Sequence, residues 1–179
     1  MKLAALRALF TNLPGTLQRP DDLETRLLCQ IAAWLVDHSP MRTQSLRPAT
    51  AVLLSHALAY ELAALCRLPY GLTACLTLPA CMRFTAAWVP AVLARQAKVA
   101  RSLGIVPGDA RDQAASNGLT DKLQTLVAQL GLPTRFREVD ISHEQLRLVA
   151  SRFAQRGASL VSGESANERD VFSLLESAW

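Results

Sequence analysis

His56-Ala57-Leu58-Ala59-Tyr60-Glu61-Leu62-Ala63-Ala64-Leu65-Cys66, running on to Leu68-Pro69-Tyr70-Gly71, decides how this 179-residue chain is read. From Ala49 to Cys66 the sequence is apolar almost all round. A helix without a polar face is one enclosed by other helices. Val52 to Leu65 is therefore expected to be the central helix of a folded domain. His56 and Glu61 inside the run fit a protein core better than a bilayer, so no membrane is expected.

The flanking segments also read as helices. Leu3, Leu6, Leu9 and Phe10 make an apolar stripe on a first helix, expected to stop before Pro14-Gly15. Asp21 or Asp22 can cap a second, on which Leu23, Leu27, Ile31, Trp34 and Leu35 recur at helical steps. Arg47-Pro48 is read as opening the third, since proline suits a first turn. A fourth starts near Gly71 and meets Pro79, which is expected to bend or break it. Val89 to Leu103 makes a fifth, closed by Gly104. Pro107 to Asn117 reads as the one long loop and the most mobile piece, ahead of a sixth helix from Thr120 to Leu130. Arg135 to Val139 is too short and charged for a core strand. Capping boxes at Ser142-His143-Glu144-Gln145 and Ser165-Ala166-Asn167-Glu168 open the last two helices. No stretch alternates apolar and polar over strand length. The expectation is an all-α fold, residues 1–179 forming a single domain of seven to eight helices.

Composition narrows the classes. Half the residues are hydrophobic and 19% charged, which suits a well-buried interior or an oligomer face. The net charge of +4 is spread over scattered basic residues such as Arg7, Arg47, Arg83 and Arg101, so no nucleic-acid partner is expected. Cys29, Cys66, Cys75 and Cys81 form no C-x-x-C pair and read as buried free thiols in a reducing cytoplasm, with a structural zinc the second reading. Arg7 interrupts the apolar start and no small-residue cleavage site follows, so no signal peptide is expected.

The decisive stretch resembles the C-terminal helical domain of the iron-containing (group III) alcohol dehydrogenases. There it reads His-x-x-x-His, nine residues, then His-Gly after Leu-Pro. Further likeness lies in Asn12-Leu13-Pro14 with Asp22-Leu23-Glu24-Thr25-Arg26, in Gly71 to Phe84 with Leu78-Pro79, in Leu130-Gly131-Leu132-Pro133, and in Leu174 to Trp179. The resemblance implies a family that uses NAD(P) and a divalent metal such as iron or zinc. It further implies that His56 occupies a metal-ligand position, that Tyr70 replaces another ligand, and that Tyr60 takes the former nicotinamide-side position. Two more ligands, an Asp and a His four residues apart, would come from a helix upstream of this sequence, and a glycine-rich phosphate loop from an N-terminal dinucleotide-binding half, which the chain is expected to lack. No glycine cluster of that kind occurs here, and Asp37-His38, adjacent at a helix end, cannot stand in for the missing ligand pair.

A divalent site needs three or four protein ligands, and neutral phenols do not serve. No catalytic residue, no cofactor and no metal are therefore expected for this chain alone. His56 is expected to be a hydrogen-bonded core histidine, Tyr60 and Tyr70 to pack in the core or an interface, and His143 to be solvated. For Glu61 a salt bridge to Arg67 or an outward position is favoured over a general base. The chain then reads as a truncated or degenerate family member serving as a structural or interaction domain. The alternative is the C-terminal half of an NAD(P)-dependent, metal-dependent alcohol dehydrogenase or reductase whose nucleotide-binding half is supplied separately. Self-association or a partner subunit is expected over the cleft face near His56, Tyr60 and Tyr70.

Overall fold

The computed structural model describes residues 2–38, 51–156, 159–161, 164–165 and 167–179. Its helices are α1 (Lys2–Gln18), α2 (Leu23–Asp37), α3 (Ala51–Cys66), α4 (Tyr70–Trp88), α5 (Pro90–Ser102), α6 (Asp112–Gln129), α7 (His143–Gln155) and α8 (Glu168–Glu176). The all-helical expectation holds. A short 3-10 turn, Phe136–Val139, buries Phe136 completely. One feature was not anticipated: Ser159–Val161 (β1) pairs antiparallel with Glu164–Ser165 (β2), a two-stranded hairpin too small to form a layer.

α3 is the central helix, as its uniformly apolar sequence requires. Leu54, Leu58 and Leu62 are buried on it, in one apolar cluster with Leu76 and Cys81 of α4, Phe136 of the 3-10 turn, Leu146 and Val149 of α7, and Leu174 and Leu175 of α8. The C-terminus is tied into this core. The Phe136 amide donates to the Ala178 carbonyl at 3.0 Å, and the Trp179 indole donates to the Ile141 carbonyl at 2.9 Å.

Several ends form as local chemistry dictates. The Asp22 carboxylate accepts from the Thr25 amide and caps α2. Ser142 and Gln145 form a reciprocal capping box at α7. α5 and α6 close on Gly104 and Gly131, whose φ values of 72° and 68° suit residues lacking a Cβ.

Other boundaries depart from expectation. α1 continues through Pro14, and α4 through Pro79 without breaking. Around Pro79 packing holds the two sides of the proline in line, since Leu76, Thr77, Ala80 and Cys81 are all buried; Pro14 lies among half-buried neighbours. α6 starts at Asp112, not Thr120, so most of the expected long loop is helix. Gly118 lies inside it because a Cβ there would sit 2.8 Å from Val106 Cγ1, where the preceding turn crosses the helix. Asn167, not Ser165, caps α8, its side chain accepting from the Asp170 amide. The expected opening of α3 at Arg47-Pro48 lies outside the described residues.

Candidate functional site

α3 and α4 form an antiparallel hairpin whose register is fixed by buried hydroxyls. Ser55 Oγ and Thr77 Oγ1 are 2.8 Å apart, and Thr73 Oγ1 donates to the Ala59 carbonyl at 3.0 Å. Thr73 and Thr77 are fully buried, so each bond is protected from water. The ladder sets the faces above it. It brings His56 and Tyr60, one turn apart on α3, onto Tyr70 at the start of α4.

Three rings result. Tyr60 and Tyr70 stack with centroids 4.5 Å apart and planes 27° apart, and the His56 ring lies 5.9 Å from Tyr70 at 15°. His56 Nδ1 is hydrogen-bonded to the Tyr70 hydroxyl. The tautomer sets the direction: the phenol donates to a bare Nδ1, or Nδ1–H donates to the phenol oxygen. Desolvation, and secondarily the neighbouring Tyr60, raise the Tyr70 pKa above 10.0, so its hydroxyl stays protonated at neutral pH.

The three sequence-chosen residues are thus brought together, but not as a core. His56 is exposed and Tyr60 is 63% exposed, while Tyr70 is half-buried. The reason is position: Leu54, Leu58 and Leu62 claim the inward face of α3, and the steps to His56 and Tyr60 fall on its outer side.

Glu61 is turned inward, contrary to both positions favoured for it. Its side chain is 7% exposed and is paired with Arg156, the C-cap of α7, not with Arg67. Arg156 is the partner that sequence reasoning missed; only the presence of a carboxylate in an apolar helix hinted that one must exist. His143 is not simply solvated either. Its ring packs 4.0 Å from that of Trp179, and its Nε2 lies 3.6 Å from Glu176. His38 caps α2 and stacks on Trp34 at 4.5 Å. The four cysteines are unpaired, but only Cys81 is buried; desolvation pushes its thiol pKa far up, and that of the half-buried Cys29, Cys66 and Cys75 up as well.

These donors do not fit a divalent metal. The cluster offers one imidazole, engaged with a phenol, and two phenols, that of Tyr70 held protonated. Among the described residues no group of three or more His, Cys, Asp or Glu side chains converges. No helix among them is long and apolar enough to cross a membrane.

With this helical architecture and the His-x-x-x-Tyr, Leu-Pro-Tyr-Gly spacing in view, comparison with known proteins places the chain. It belongs to the Fe-containing alcohol dehydrogenase family, whose C-terminal family model matches residues 1–179. It is similar to the 1-propanol dehydrogenase PduQ of Salmonella typhimurium, with 30% identity over 130 residues, 73% of this chain and 33% of that protein. In fold it is similar to the aldehyde reductase YqhD of E. coli, with a TM-score of 0.78 and 18% identity over 99% of this chain and 45% of that one. The NADH-dependent butanol dehydrogenase A of Thermotoga maritima gives a TM-score of 0.77 and 18% identity, over 98% and 44% respectively. The chain therefore spans about a third of the curated relative and less than half of these solved structures.

Proposed function

We propose that this chain is a degenerate helical domain of the iron-containing alcohol dehydrogenase type, in which a ring cluster stands where a metal centre would be. By itself it acts as a structural or interaction domain and transfers no hydride. The observation that carries this reading is the hydrogen bond between His56 and Tyr70, with Tyr60 stacked on the phenol. The bond occupies the Nδ1 of the imidazole, and a phenol that is protonated at neutral pH is a poor ligand for ferrous iron or zinc. The exposed ring face is the surface offered to a partner subunit or a second copy. Four unpaired thiols suit the reducing conditions of a cytoplasm.

A second reading is favoured by the likeness to a 1-propanol dehydrogenase. In it the chain is the C-terminal half of an NAD(P)-dependent dehydrogenase or reductase for short-chain alcohols and aldehydes, and the nucleotide-binding half is supplied separately. The exposed face of Tyr60 and Tyr70 would then meet that half.

The test is nicotinamide absorbance after anaerobic loading of the purified chain with ferrous iron, using NAD+ or NADP+ and short-chain alcohols. No alcohol-dependent reduction is expected, and Tyr70→His is expected not to create it, since two imidazoles remain short of a three-ligand site. Cofactor reduction by the chain itself would overturn the first reading. Reduction only after addition of a nucleotide-binding polypeptide would replace it with the second.

A further inference from the structure

The α1–α2 hairpin uses its residues in an inverted way. Its fully buried residues are small, Ala5 and Ala32 at 1% exposure and Thr25 at 8%, while Leu6, Leu9, Phe10 and Leu13 of α1 are half-buried. The large apolar residues of α2 point the other way. Leu23 is 76% exposed, Leu27 53%, Ile31 44% and Trp34 57%. Steps of four, four and three residues put these side chains on one outward ridge, which no charged residue interrupts. A helix that hides alanine and shows leucine and tryptophan leaves a surface that lone soluble proteins seldom carry uncovered.

We propose that this ridge is where two copies of the chain meet, α2 against α2, antiparallel about a two-fold axis. The spacing favours a copy over an unrelated partner. Turned end for end, the ridge matches itself: Leu23 falls beside Trp34 of the partner copy, and Leu27 beside Ile31 of the partner copy. A contact across a two-fold axis requires that self-complementarity. The antiparallel arrangement also sets the positive end of one helix dipole next to the negative end of the other. The four side chains leave on the order of 500 Å2 of apolar surface per copy, about the apolar share of a standard interface of ~800 Å2 per partner. The proposal does not involve the ring cluster, so it stands or falls separately from the reading of that site.

The experiment is light scattering of the full chain at high micromolar concentration, beside Ile31→Glu/Trp34→Glu and, as a control at an exposed leucine of α7, Leu148→Glu. The wild type and Leu148→Glu are expected to be dimers. The double variant is expected to be a folded monomer by circular dichroism, its dimer dissociation constant raised by at least about a hundredfold. A second measurement fixes the register. In a mixture of Leu27→Cys and Ile31→Cys chains, mild oxidation is expected to join the two variants to each other in preference to either with itself. A monomeric wild type, or a dimer that survives the double substitution, would overturn the proposal. So would a monomer that binds lipid vesicles through the same ridge, or cross-linking of each variant mainly with itself.

Discussion

Between α3 and α4 the buried set includes large side chains, Leu54, Leu58, Leu62 and Leu76, and hydroxyls that bridge the helices, Ser55, Thr73 and Thr77, beside the small Ala59 and Ala80. Between α1 and α2 the buried side chains are small, and the leucines and the tryptophan of α2 face outward. Both pairs are antiparallel hairpins of similar length, yet they spend their hydrophobic residues in opposite directions. The first makes a core and holds a set of rings at a fixed register on its outer side. The second makes a surface. The contrast shows that apolar periodicity identifies a helix and its stripe, but the residue sizes on the two faces decide whether that stripe looks inward or outward.

The comparison can be broken by substitution, and the largest effect is expected in the first hairpin. Leu58 is fully buried, so Leu58→Ala should cost about 2–5 kcal/mol in denaturant unfolding. A near-neutral result would mean that α3 is not the centre of the fold. Thr77→Val keeps the shape but strands the Ser55 hydroxyl, and about 1–3 kcal/mol should be lost. Its effect should also reach the rings, seen as a change in tyrosine near-ultraviolet dichroism.

In the second hairpin the effects are smaller and depend on pH. The Asp22 pKa lies below its ordinary 3.8, chiefly because the Thr25 amide donates to the carboxylate, then through the Thr25 hydroxyl. A lowered folded-state pKa means a contribution fully present above the unfolded value and lost as pH falls through the folded one. Asp22→Ala should therefore lower the thermal midpoint at neutral pH, by less than Thr77→Val does. The two melting curves should converge at pH values below the folded pKa; a gap independent of pH would deny the cap its charge. Least of all, Leu27→Ala should stay within about 0.5 kcal/mol in dilute, monomeric conditions, because the side chain is half-exposed.

What the sequence showed, and what it hid, follows from the same distinction. The enclosed helix Val52 to Leu65, the Asp22 cap, the Gly104 stop and the Ser142 box were legible because each rests on residues close in the chain. The meeting of His56, Tyr60 and Tyr70 was legible through the family spacing. Its exposure was not, because that depends on which face Leu54, Leu58 and Leu62 take. Pro79 misled for a related reason: its local penalty was outweighed by buried packing on both sides of it. The inward turn of Glu61 needed Arg156, far away in sequence. The helical start at Asp112 was masked by Gly118, which reads as a loop residue until the nearby Val106 explains it.

The central claim is that the ring cluster has replaced a metal centre. Its most direct test is elemental analysis of the purified chain and of His56→Ala after anaerobic loading with ferrous iron or zinc and removal of excess metal. The account predicts far less than one equivalent in both proteins, with no difference between them. One equivalent in the wild type that disappears in His56→Ala would contradict it.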